Sequence, residues 1–247
     1  MHSMIHKAIS DAVMWGVLAR NVSDTVEPPR RARYEFKALT MEEALSFLSA
    51  AKGHPMEALW LVEITTGMRR EEILALKWQD VDLSQGLLEV RRSFTREPGN
   101  RYKETQPKTE KSRRSIVLRE PAIEALKHLR ACQIEAKVEA GETWIEHGLV
   151  FCTAVGTPLN PNKVLERFKT LLKKAGLPHI RFHDLRHSTA SILLKMQTHP
   201  KVVQELLGHS RIAETLDIYS HVLPTIQEDA MHKLNDNLHW LREQRKP

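Results

Sequence analysis

Apolar residues recur at helical spacing along most of the chain, and the places where that rhythm breaks outline its organisation. Ile5, Ala8, Ile9, Ala12, Val13, Val17 and Leu18 predict a helix over 5–20. The stretch VEPPRRARYEF, with a proline pair and a basic run, cannot continue a helix and predicts a linker over 26–38, which separates residues 1–25 from a main body over 39–247. That body opens on Thr40-Met-Glu-Glu, a capping box that starts a helix running to about Ala51 and ended by Gly53. EALWLVEITT predicts a second apolar helix stopping at Gly67. RREEILALKW predicts a third, with Ile73, Leu74 and Trp78 facing inward.

Between 80 and 118 the rhythm changes: VDLSQGLLEVRRSF and RRSIVL are short β-type runs around a polar stretch containing glycine and proline. They predict one small antiparallel sheet with a long hairpin loop. From Pro121 the helical period returns, broken at Gly141, Gly156, Pro158, Gly176 and Gly208. Near the C-terminus Ile226, Ala230, Met231, Leu234, Leu238 and Leu241 form one apolar stripe. The expected fold class is mainly α with a small antiparallel β-sheet, without internal repeats or low-complexity tracts.

Charge adds a direction. The 247 residues carry a formal net charge of +6, and the segment 91–119 alone holds ten basic against three acidic residues, so the positive field is concentrated where a phosphate backbone would lie. Arg91, Arg92, Lys111, Arg113 and Arg114 are its candidate DNA contacts. Two cysteines, Cys132 and Cys152, without the spacing of a metal site or disulfide framework, point to a reducing, cytoplasmic setting. No apolar run approaches the roughly 18 residues of a membrane span, and the start of the chain lacks a signal-peptide pattern.

Five stretches concentrate the groups that a phosphate-handling site needs. In TGMRREE, Arg69 opens a helix where guanidinium donors and exposed amides can face one anion, with Glu72 one turn on to hold it. In QPKTEKSRR, Lys108 sits in a hairpin loop able to reach a site. In RFHDLRHS, His183 and Arg186 lie three apart and share a helical face. In LLGHS, Gly208 ends a helix and His209 stands in the turn. TLDIYSH supplies Tyr219. HDLRH also comes close to a zinc-protease helix, but that pattern needs Glu where Asp184 stands and would put the cation Arg186 beside the ion. No metal or cofactor is expected, and His187 reads as structural or supporting.

From about Thr40 to about Val222, these boxes, in this order, resemble the catalytic domain of the tyrosine recombinases, the phage-integrase family. The resemblance implies a DNA breaking-rejoining fold and a catalytic set of Arg69, Lys108, His183, Arg186, His209 and the nucleophile Tyr219. It implies site-specific cleavage and rejoining of DNA through a 3′-phosphotyrosine, without metal or ATP, in the service of a mobile element. Tyr219 would be activated by His183 or by the field of the neighbouring guanidiniums. The helix within residues 1–25 resembles the last helix of the family's core-binding domain, and the C-terminal helix would dock on a neighbour in a homotetramer on double-stranded DNA, with an accessory DNA-bending or excision factor as a further candidate partner. A type IB topoisomerase would share the chemistry without that C-terminal helix. A protein that only occupies DNA sites would need neither the tyrosine nor the histidines.

Overall fold

The computed structural model describes residues 2–28, 37–96, 102–105 and 113–220, with 227–228, 231–232 and 234–235 in the C-terminal stretch. The chain divides into two compact units, 1–35 and 36–247.

The first unit holds helix α1 (His2–Met14) and a 3-10 turn (Val22–Thr25). α1 ends six residues short of the expected boundary because Gly16 adopts a left-handed φ of +73°, which turns the chain back so that the Val17 amide bonds to the Ala12 carbonyl (2.9 Å). Asn21 ties the return to α1, its Nδ2 donating to the His6 carbonyl (3.1 Å) and Ser10 Oγ (2.7 Å). No residue of α1 is buried, and Met14 and Trp15 are exposed.

In the second unit, α2 (Met41–Ala51) starts where the sequence places it: the Thr40 amide donates to Glu43 Oε2 (2.8 Å) and the Glu43 amide to Thr40 Oγ1 (3.2 Å). α3 (Glu57–Thr66) follows and ends at Gly67. With α6 (Pro161–Lys174) and α7 (Phe182–Lys195), these helices bury Phe47, Trp60, Phe168 and Phe182, whose ring centroids lie 5.5–6.0 Å apart. Tilted and edge-on pairs of this kind contribute about 0.5–1.5 kcal/mol each beyond the area they bury.

α4 is only Arg70–Leu74, shorter than the periodicity predicts, because the chain after it leaves to pair with 148–150: the Val150 amide bonds to the Leu76 carbonyl and the Trp78 amide to the Gly148 carbonyl, both 2.9 Å. Ile73 and Leu74 are buried as expected. Trp78 is only half-buried, its Nε1 donating to Gln133 Oε1 (2.7 Å) with Arg130 over its ring.

The β region forms two sheets rather than one. β1 (Val81–Asp82), β2 (Leu87–Val90) and β5 (Arg114–Val117) pair antiparallel in the order β1-β2-β5, with Leu88 opposite Ile116 and Val90 opposite Arg114. β3 (Ser93–Arg96) and β4 (Tyr102–Thr105) pair separately. The strand run breaks at Arg91–Arg92, where Arg92 turns in between Asp80 and Glu104. α5 (Glu120–Ala140), α8 (Pro200–Leu207) and a helix over 212–220, α9, complete the described unit. No helix among the described residues is long and apolar enough to cross a membrane.

Candidate active site

Two glycine turns bring the functional stretches together. Gly67 ends α3 with φ +58° and Gly208 ends α8 with φ +67°, both left-handed conformations that favour glycine. A Cβ on Gly67 would stand 2.4 Å from the Leu207 side chain, so the turns are in close contact as well as sharply bent.

Arg69 follows the first turn and caps α4. Its amide donates to Glu72 Oε2 (2.9 Å), its Nη1 to Glu72 Oε1 (2.8 Å) and its Nη2 to the Gly208 carbonyl (2.9 Å), so one guanidinium ties both turns. The other side of Glu72 is held by Arg114 of β5, which donates from Nη2 (2.8 Å) and bonds the Leu206 carbonyl through Nε (2.7 Å). From α7, Arg186 donates through Nη1 to the Gly67 carbonyl (2.7 Å). It is 1% exposed, and its Nη2 is buried with no hydrogen-bond partner among the described residues.

His209 stands buried after the second turn. Its amide bonds to the Gln204 carbonyl (3.1 Å) and its Nδ1 lies 2.8 Å from Thr215 Oγ1 on α9. His183 is on the exposed side of the first turn of α7, its ring 4.9 Å from that of His187 at an interplanar angle of 89°. Asp184 is fully buried and caps α7 by accepting from the Arg181 amide (2.8 Å) and guanidinium (3.0 Å). Tyr219 is half-buried on α9, against the apolar cluster of Ala190, Leu194, Val203, Leu207 and Ile218 that joins α7, α8 and α9. Its hydroxyl has no hydrogen-bond partner among the described residues. Lys108 and Lys111 lie outside the described residues.

The assembled charges act on one another. Burial, followed by the charges of Arg69 and Arg114, pushes the Arg186 guanidinium down to about 9, which still leaves it cationic at neutral pH. Burial lowers His209 to about 3, aided by Arg186 and Arg69, and lowers His187 to about 4, aided by His183. Desolvation and then Arg186 lower His183 as well. All three imidazoles are therefore neutral at pH 7. Burial alone would raise Glu72, but the hydrogen bond and charge of Arg114 outweigh it, with Arg69 adding to them, and keep it ionised. Glu63, on α3, is completely buried with neither carboxyl oxygen bonded among the described residues; burial raises it well above its usual value, partly opposed by Arg186.

Two of the expected DNA contacts are largely buried and already paired with carboxylates of the protein. The Arg114 side chain is 6% exposed and committed to Glu72, and Arg92 is 19% exposed between Asp80 and Glu104. Period-2 alternation along β5 carries the signal for Arg114: it shares a face with buried Ile116, whereas Ser115 and Val117 face outward. Arg91 and Arg113 remain at the surface, and all four arginines line one cleft of about 900 Å³ between the two sheets' residues 89–92, 104–105 and 113–115. The role of Glu63 has no sequence signal, since a lone acid in an apolar helix reads equally well as a surface position.

The fold is shared with solved integrases and recombinases. The Tn1549 transposon integrase in complex with transposon right end DNA superposes with a TM-score of 0.73 at 23% identity, covering 95% of this chain and 78% of that one. XerA recombinase gives 0.65 at 24% identity, covering 92% and 74%. The chain belongs to the phage integrase family, whose family model matches residues 37–225. A tyrosine recombinase XerC-like protein of Caldanaerobacter subterraneus is 37% identical over 85% of this chain and 56% of its own length. An integrase of Streptomyces ambofaciens is 34% identical over 94% of this chain and 61% of its own. The chain thus spans little more than half the length of these curated relatives.

Proposed function

We propose that this protein is a site-specific DNA recombinase that breaks and rejoins strands through a 3′-phosphotyrosine, independently of metal and ATP, for the integration or excision of a mobile element. The observation that carries the reading is an excess of buried positive charge. Arg69 and Arg114 share one ionised carboxylate, Glu72, Arg186 lies buried beside them on the Gly67 carbonyl, burial raises the Glu63 carboxyl, and Arg186 Nη2 has no acceptor among the described residues. An unpaired buried donor is unfavourable until an acceptor arrives, and a nonbridging phosphate oxygen is a suitable one.

In the attack, the Tyr219 oxygen forms a bond to phosphorus and the deoxyribose 5′-oxygen leaves. Charge building on the nonbridging oxygens is met by Arg69 and Arg186, with His209 donating a further hydrogen bond. Neutral His183 takes the tyrosine proton, assisted by the guanidinium field, and Lys108 protonates the leaving oxygen. The ester energy is retained in the phosphotyrosine, so a second strand's 5′-hydroxyl reverses the step. Glu72 orients Arg69 without touching the substrate.

Arg91 and Arg113, with Lys111, contact the DNA backbone beside the site. Residues 1–25 are the end of a core-binding domain joined by the linker 26–38, and the catalytic domain spans 39–247. Met231 and Leu234, exposed at 58% and 50%, belong to a C-terminal helix that docks on a neighbouring protomer in a DNA-bound tetramer. The protein acts in the cytoplasm on the nucleoid, where an accessory DNA-bending factor can join it.

The test is a nicked suicide substrate carrying the cognate core site, incubated in EDTA and run on a denaturing gel. A protein-DNA adduct that Tyr219→Phe abolishes is expected. An adduct retained in that variant removes Tyr219 from its role, and one that needs divalent metal removes the cation-only mechanism.

A further inference from the structure

We infer that Thr215 is a positioning residue that fixes the tautomer of His209, so that the ring presents Nε2–H to the scissile phosphate only while the tyrosine-bearing helix is seated. The inference deepens the proposed function and rests on the reading of His209 as a donor to that phosphate.

Three observations carry it. Thr215 is fully buried and its Oγ1 lies 2.8 Å from His209 Nδ1. The direction of that bond follows from the inventory of groups: a threonine hydroxyl has one proton, and no carbonyl of the preceding turn of α9 or other group among the described residues accepts it. If Nδ1–H were the donor, the buried hydroxyl proton would be left unsatisfied, which folded proteins avoid. Thr215 therefore donates, Nδ1 accepts, and the remaining ring proton sits on Nε2. The neutral state of the buried ring agrees, since a protonated imidazole would have no lone pair to accept with. The backbone of His209 is held separately, by Gln204 on α8: its amide bonds to the Gln204 carbonyl at 3.1 Å and its own carbonyl accepts from Gln204 Nε2 at 3.3 Å. The peptide is thus fixed by α8 and the ring by α9.

The placement of Thr215 gives the bond its consequence. It is four residues before Tyr219 in the same helix, one turn away, and Ile218 beside the tyrosine anchors that helix in the α7–α8 cluster. A displacement of α9 that withdraws the tyrosine also withdraws the hydroxyl that holds His209. The donor and the nucleophile are then assembled or dismantled together, and His209 does not stabilise a phosphate that has no tyrosine to attack it.

The test reads the tautomer directly. Long-range ¹H–¹⁵N correlation spectra of the intact protein distinguish Nε2–H from Nδ1–H imidazole, with His209→Gln used to assign the signal. The wild type should show His209 as the Nε2–H form. Thr215→Val, which keeps the side-chain shape and removes the hydroxyl, should give a mixture of tautomers, and Thr215→Ser should restore the wild-type pattern. A wild-type Nδ1–H form, or a Thr215→Val spectrum unchanged at His209, overturns the inference. In the suicide-substrate assay, Thr215→Val should slow adduct formation about 10- to 100-fold, less than the loss of a whole anion-stabilising donor, with DNA binding unchanged. The same substitution should have no further effect in a His209→Ala background. An additional loss there assigns Thr215 to something other than His209. If the wild type forms no adduct, the spectra still decide the tautomer, and it is the proposed function that fails.

Discussion

Arg186 shows what a single residue contributes here. A lysine in its place would carry the charge but not the planar fork that reaches the Gly67 carbonyl with one nitrogen and, in the proposed mechanism, offers the other to a phosphate. Arg186→Lys and Arg69→Ala should each reduce strand cleavage by about 100- to 1000-fold, the range for removal of one oxyanion donor, with DNA affinity in a gel-shift assay nearly unchanged. Equal losses of affinity and cleavage would make them ordinary phosphate anchors. Glu63 offers an independent readout. Below its usual value of 4.5 the carboxyl is protonated whether the chain is folded or not; as pH rises past that value the unfolded chain ionises while the buried group holds its proton, so stability declines. Glu63→Gln should flatten this decline and melt above the parent near pH 8, as followed by melting temperature against pH. Parallel curves for the two proteins would contradict a raised Glu63 carboxyl. The histidines have the opposite sign. His183, His187 and His209 are all lowered from 6.5, so their contribution to stability is present above that value and is lost as pH falls through their folded values. An NMR titration should place all three below 6.5 with His209 lowest, and any of them above 6.5 would refute the buried-cation account.

Among the elements, those with a local physical signature were legible in the sequence. The Thr40 capping box and the glycine stops at 67 and 208 depend on residues within one or two turns of each other, whereas His183 and Arg186, three apart on α7, differ in burial, the first exposed and the second buried. Elements whose limits depend on distant chain were not. α4 ends early because 148–150 captures the chain after it, and the expected single sheet divides because Arg92 turns towards Asp80 and Glu104. Arg114 was misplaced for a related reason. Its partners Glu72 and Leu206 lie 42 and 92 residues away, and only strand alternation could have shown that it faces inward. The close approach of the two glycine turns was equally invisible. Gly67→Ala should destabilise the second unit by about 2–4 kcal/mol in urea unfolding, because it combines a left-handed φ with a contact against the fully buried Leu207. A change below about 0.5 kcal/mol would mean that the turns are not packed as described.

At the scale of the whole molecule, the fold gathers cations from α4, β5 and α7 and keeps them together by a carboxylate and three carbonyls, while α9 carries its tyrosine against the apolar cluster of α7 and α8. The family was legible because its motifs sit in short boxes, whereas the places of Glu63, Arg114 and Thr215 are recognisable only after folding. The chain's three tyrosines, Tyr34, Tyr102 and Tyr219, make the central claim open to one direct measurement. The covalent adduct formed on a suicide substrate is digested with protease and nuclease, and the nucleotide-bearing peptide is identified by mass spectrometry. The account predicts a 3′-phosphoryl nucleotide on Tyr219; a nucleotide on Tyr34, Tyr102 or a residue other than tyrosine would contradict it.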